Sequence, residues 1–267
     1  MPGVLSPQPS PISDFVVAGG GCFGSYHTRQ LLKAIKRGRL EAERIIVVDR
    51  QPDCAASKEF ANESLVEIVT GDWITYLHGY LEGSAGSAAH LVPPPIGPHV
   101  ALEWLRLALA KEVGEVVLED VPISHEIGLP YEHIDGKGNL FLSHAAWLCP
   151  TNCYEPAVCP AIKDTRDWSM PETVTSLASE SRPDLAQSFV FHSRHLAFGI
   201  STMPMQDLLD ARDRALALAS QAEVSILVAT TSHCHGVLGV LRLSPRTTFE
   251  KPAVATLGSI KDEHGQS

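Results

Sequence analysis

Three of the chain's six cysteines, Cys149, Cys153 and Cys159, stand within eleven positions of one another, in a stretch that also carries Pro150, Pro156 and Pro160. Prolines at that density discourage regular helix and leave a knuckled loop, which can turn several thiolates toward one point. A fourth thiol, Cys234, sits between His233 and His235 directly after the strand-like run Val224 to Ala229. Four thiolates, or three with an imidazole, suit tetrahedral zinc, and cysteines followed by proline also occur in iron–sulfur loops. The spacing matches no standard finger or ferredoxin, so zinc and a [4Fe–4S] cluster both stay open. The reading is a metal centre on Cys149, Cys153, Cys159 and Cys234, with His233 or His235 as the substitute fourth ligand. Two other chemistries compete with it. Cys234, flanked by two imidazoles, could be an activated nucleophile, or the cysteines could be small buried apolar side chains.

The second constellation is Gly19-Gly20-Gly21-Cys22-Phe23-Gly24. It lies between an apolar run, Asp14 to Ala18, and a helix-compatible stretch from Phe23 to about Arg37, the context that raises a G-x-G-x-x-G above chance. A first glycine permits a tight turn, a second lets backbone approach a pyrophosphate, and a third lets helix and strand pack closely. The helix N-terminus then favours the phosphate charge. A second β-branched run, Ile45 to Val48, ends in Asp49, an acid placed to accept hydrogen bonds from ribose hydroxyls.

These residues resemble the NAD(P)-binding Rossmann superfamily over about residues 14–120. The resemblance implies a parallel sheet with the cofactor over its carboxyl edge, held at Gly19, Gly21, Cys22, Phe23, Gly24, Asp49 and Arg50. Asp49 favours NAD because it repels a 2′-phosphate; Arg50 could receive that phosphate, which leaves NADP open. S-adenosylmethionine is the rival ligand, since related turns bind it.

Acid–base candidates follow from position. The loop Pro93 to His99 follows the fourth candidate strand, Ala89 to Val92, which contains His90, and in such folds this loop lines the catalytic end of the cofactor. His99 is therefore a catalytic candidate. Arg194 and His195 follow the strand-like Ser188 to His192; the first could pair with a carboxylate or phosphate and the second could move a proton.

The elements that must position these groups read as α/β: a doubly wound, mostly parallel Rossmann-type sheet with a C-terminal α/β extension carrying the cysteine-rich loop. Candidate strands at 65–69, 89–92 and 115–118, with helices at about 73–81 and 100–113, complete the first sheet. The boundaries expected are a lead-in over 1–13, a dinucleotide domain over 14–120, the C-terminal part over 121–248 and a polar tail over 249–267. In the second half, Asp135 to Asn139 reads as a hairpin turn, 161–185 as a polar surface connection, and Met205 to Ala222 as a long helix before a strand at 224–229.

A hydrophobic fraction of 44% and a charged fraction of 19% in 267 residues allow a sizeable core. Twenty-one basic against 31 acidic residues give a net charge of −10, which works against nucleic acid as partner. No run approaches the ~18 apolar residues of a membrane span, and no basic-then-apolar leader opens the chain, so a cytoplasmic protein is expected. The functional expectation is an NAD(P)-dependent oxidoreductase acting on a small molecule or with a redox partner, homodimeric as such folds commonly are. The alternative is an NAD(H)-binding redox or metal sensor without turnover.

Overall fold

The runs Phe15 to Ala18 and Ile45 to Val48 are apolar at every position because both faces of their sheet are covered. Val16, Ala18, Ile46 and Val48 point to one core, while Phe15, Val17, Ile45 and Val47 point to another. The computed structural model describes residues 12–83, 88–94, 99–120, 122–123, 127–150 and 153–246.

The chain begins β1 (Ile12–Ala18), α1 (Cys22–Lys36), β2 (Ala42–Asp49), α2 (Ala55–Glu59), β3 (Val66–Thr70), α3 (Trp73–Glu82), β4 (His90–Val92) and α4 (Val100–Ala110). β5 (Glu115–Leu118), β6 (Tyr131–Ile134), β7 (Leu140–Ser143), β8 (Val158–Cys159), β9 (Asp164–Thr165) and α5 (Met170–Ser181) follow. The last part is β10 (Leu185–His192), β11 (Arg194–Ala197), β12 (Ile200–Pro204), α6 (Met205–Ala219), β13 (Val224–Thr231) and β14 (His235–Ser244).

The result is a mixed α/β structure with several sheets. One has six strands in the order β11-β12-β4-β1-β2-β3, in which β1 to β4 are parallel and β12 and β11 are antiparallel additions. A second has the order β10-β13-β14-β7-β6, with β5 also on β14; its β10 and β13 are parallel and the rest antiparallel. β8 and β9 form a small separate hairpin.

Side chains of α3, α4 and α6 fill the core between the two large sheets, where Leu77, Trp104, Leu105 and Leu208 meet Val16 and Ile46 on one side and Ile226 and Val228 on the other. Leu31, Leu32, Ala56 and Phe60 of α1, α2 and the adjoining loop cover the far face of the first sheet. Met170, Val174, Leu177 and Ala178 of α5 cover the far face of the second.

Four features depart from the sequence expectation. The strand at 115–118 exists but pairs antiparallel with β14, Leu118 opposite Leu241 and Glu115 opposite Ser244. The edge it would have taken beside β4 is occupied by β12, with Met203 opposite Leu91. The expected surface connection contains α5, whose buried residues follow the i, i+4, i+7, i+8 spacing of an amphipathic helix. The first strand also starts at Ile12, inside the expected lead-in. The expected tail begins beyond the described residues, as do Pro95 to Pro98 of the loop after β4 and Thr151 and Asn152 of the cysteine segment. No helix of the described residues is long and apolar enough to cross a membrane.

Candidate functional site

The glycine turn is built by close backbone approaches. Gly19 has φ of +101° and donates its N–H to the Val48 carbonyl at 2.9 Å, which ties the end of β1 to the end of β2. Gly20 donates to Asp49 Oδ2 at 2.6 Å, and Gln51 donates its backbone N–H to Asp49 Oδ1 at 2.8 Å. A Cβ at position 20 would stand 2.4 Å from Cys54 Sγ, and one at position 24 would stand 1.7 Å from the Gly19 carbonyl oxygen. Gly21 differs, because a Cβ there meets nothing within 4 Å.

Gly21 caps the N-terminus of α1 with extended backbone, no side chain fills the cap, and no acidic residue lies in the first turn. Gly21, Cys22 and Phe23 are exposed. The open side of the turn therefore offers unfilled space, free helix N–H groups and a favourable dipole, with nothing anionic in that first turn to repel a phosphate. Asp49 lies at the rim. Its two oxygens already accept two N–H groups, and an ionised carboxylate retains lone pairs for ribose hydroxyls.

Arg50 is turned away to Asp72, donating from Nε at 3.1 Å and from a terminal nitrogen in a second, shorter contact. Asp72 also caps α3 by accepting the Ile74 and Thr75 N–H groups, each at 3.0 Å. The Arg50 guanidinium, and then the Thr75 N–H, hold its carboxyl below the usual range.

The four cysteines expected to act together are folded into one neighbourhood. Burial pushes the Cys149 thiol up, and negative charge on Cys153, Cys234 and Cys159 pushes it further. Cys234 is buried; its Sγ accepts the Trp168 Nε1–H at 3.4 Å and its carbonyl accepts the His144 N–H at 3.0 Å. Cys159 is buried at the β8–β9 hairpin, and backbone N–H groups of Ile162 and Ala161, aided by Arg166, lower its thiol pKa. All six cysteines are free. Among the described residues, however, no group of three or more His, Cys, Asp or Glu side chains converges as metal ligands would.

What the loop does bring inward is Glu155, which was not among the residues singled out from sequence. It has φ of +52°, its Oε1 accepts the His233 N–H at 2.8 Å, and its Oε2 lies 3.5 Å from His195 Nε2. Both side chains are largely buried. His195 in turn lies close to His27 of α1, whose pKa is lowered by burial and then by His195. No sequence signal pointed to Glu155 or His27, since a lone acid in a proline-rich loop and a lone histidine in a helix have bland readings.

The remaining candidates are dispersed. His99 is buried at the N-terminal cap of α4, with Nε2 3.1 Å from Thr230 Oγ1 of β13. Burial holds its pKa down to about 3, slightly offset by Asp135. It links the ends of the two sheets. His90 Nδ1 pairs with Thr202 Oγ1 at 2.9 Å inside the first sheet. Arg194 is exposed on β11, where its charge lowers the pKa of His192.

Comparison with known proteins gives a consistent but silent picture. A protein of Archaeoglobus fulgidus, described as "Uncharacterized protein", is 27% identical over 239 residues, covering 85% of this chain and 98% of its own length. No solved structure matches. A family model described as "Uncharacterized protein, C-terminal domain" matches residues 101–244, which run from α4 to β14 and include every cysteine of the loop, Glu155 and His195. The match spans more than half of the chain, and the chain therefore belongs to that family, AF_1314_C.

Proposed function

We propose that this chain binds a dinucleotide at the turn Gly19 to Gly24, with NAD preferred, and is an oxidoreductase. The observation that carries the reading is the open side of the turn at Gly21, set against the Asp49 carboxylate that anchors Gly20 at its rim. Glycines at 20 and 24 are required by packing, but a Cβ at 21 meets nothing within 4 Å among the described residues. A phosphate approaching the α1 N-terminus explains it.

The strand order β3-β2-β1-β4, parallel and helix-covered on both faces, supports a Rossmann-type reading of the first sheet. The Arg50–Asp72 pair supports NAD over NADP, because that guanidinium is already engaged. The uncapped, acid-free helix start supports a phosphate-bearing ligand over S-adenosylmethionine, whose sulfonium is cationic. A bound nicotinamide ring would supply two-electron hydride chemistry; this chain's residues would bind its phosphates and ribose and present a proton carrier.

Gly21→Val separates folding from binding. Its side chain has room and its backbone is already extended, so Tm falls only by the small cost of a poorer N-cap and the protein stays folded. Calorimetric affinity for NAD+ falls at least about tenfold, a loss of about 1.4 kcal/mol. Unchanged NAD+ affinity in the variant, or a wild-type protein that takes up S-adenosylmethionine and not NAD+, overturns the reading.

A further inference from the structure

We propose that His195 is the acid–base residue of that reaction, positioned by Glu155 and adjoined by His27, and that the substrate is an alcohol or the corresponding carbonyl compound. The inference rests on the dinucleotide reading and adds to it the proton path and the substrate class.

Placement comes first. Ligands of open α/β sheets lie beyond the carboxyl ends of parallel strands. Here three such ends are drawn together. The loop after β4 delivers His99 to Thr230 near the end of β13, and just past the end of β10 Ser193 donates its N–H to the Thr231 carbonyl at 2.7 Å. Two residues beyond Ser193 stands His195. From the other side comes α1, which starts at the glycine turn; His27 is five residues past Cys22, about 8 Å along the helix axis. The helix that starts at the glycine turn thus carries His27 close to His195.

The chemistry follows from the partners. Glu155 Oε2, 3.5 Å from His195 Nε2, favours the protonated ring, whereas burial favours the neutral one. Burial is the larger influence and lowers the His195 pKa, with Glu155 and the Gly199 backbone offsetting part of it, so the ring rests neutral and can take up a proton and return it. Glu155 is itself held by the His233 N–H, so the carboxylate has a fixed place from which to orient the ring. The charged and titratable groups around His195 are Glu155 from the cysteine loop, His27 from α1 and His192 from β10, with Arg194 next to it on β11.

An orphan atom supplies the second indication. Nδ1 of His27 is buried without a hydrogen-bond partner among the described residues, and His27 is only 8% exposed. A buried polar atom left unpaired costs free energy that a bound polar group removes. A hydroxyl or carbonyl oxygen at His27 Nδ1 meets that need. In oxidation a bound nicotinamide ring would supply the acceptor for the hydride released from the substrate C–H, and His195 would take up the O–H proton. The C–O bond becomes C=O and the imidazolium rests beside Glu155; reduction reverses each change.

The test is a pH titration of the imidazole resonances of the full chain by two-dimensional NMR, alone and with NAD+ or ADP-ribose. ADP-ribose shares every feature recognised by the glycine turn but lacks the nicotinamide. Both ligands are expected to move the Gly19 to Gly24 amides, and NAD+ alone to move His27 and His195. Glu155→Gln is expected to lower the His195 pKa by about one unit, and Glu155→Asp to restore part of it. If both ligands move the glycine amides and neither disturbs His195, this inference fails and the dinucleotide reading stands. If neither ligand binds, both fail. The comparison of ligands uses unaltered protein, so it decides even where the Glu155 variants do not fold.

Discussion

The carbonyl oxygen of Gly19 occupies the place where a side chain on residue 24 would begin: a Cβ added to Gly24 would lie 1.7 Å from it. Strand end and helix start are thus in backbone contact, and the geometry of the whole turn depends on that contact. Gly24→Ala is expected to force them apart and cost about 3 kcal/mol. A lowered Tm by calorimetry checks this. A variant as stable as the parent would show that the turn can relax and that its close packing does not matter.

Asp49 and Arg50 are adjacent in sequence and do different work. Asp49→Ala removes the acceptor of the Gly20 and Gln51 N–H groups and the repulsion toward a 2′-phosphate. Hydrogen bonds to a charged group contribute about 1.5–3 kcal/mol, so NAD+ affinity should fall tenfold or more and the preference over NADP+ should shrink. Arg50→Ala breaks a surface pair with Asp72, a contribution of about 0–1 kcal/mol, and should leave that preference unchanged. Parallel titrations with NAD+ and NADP+ decide; a preference lost with Arg50 rather than Asp49 would reverse the assignment.

Cys22 is the exposed thiol at the first position of α1, whereas Cys54, Cys159 and Cys234 are buried. A chromogenic disulfide reagent should therefore label Cys22 first. Saturating NAD+ should slow that labelling about tenfold, because the bound pyrophosphate would cover the helix start. Labelling at an unchanged rate would place the ligand elsewhere.

His99 gives the protein a pH dependence of known sign. Its folded pKa, about 3, lies below the ordinary value of 6.5 that the unfolded chain restores. Between these values the unfolded state binds the extra proton, so stability is full above pH 6.5 and falls as pH drops toward 3. At 1.36 kcal/mol per unit, the loss is on the order of 5 kcal/mol. His99→Gln can keep a bond to Thr230 without titrating. Denaturant unfolding from pH 7 to pH 4 should show a shallower decline in this variant, and an identical slope would mean that His99 is not the responsible group.

The sequence by itself determined the elements whose signals are local. The β-branched runs at 14–18 and 45–48, the glycines between strand and helix, the hairpin turn at Asp135 to Asn139 and the long helix from Met205 all depend on neighbours a few positions away, where propensity and period suffice. The rim acid Asp49 was legible for the same reason, because it ends a strand beside the turn.

Tertiary structure decided partnership. The residues Glu115 to Leu118 read as a strand from sequence, but the β4 edge carries β12 and they pair with β14 instead. The cysteine segment was conspicuous by composition, yet whether thiols converge depends on how a proline-rich loop is anchored at a distant point, here His233. That anchoring draws Glu155 toward His195 of β11, itself adjacent to His27 of α1, three residues with no sequence periodicity in common. Side chains from three separate elements meet only once two sheets and the helices between them have packed, and no local signal encodes such a meeting.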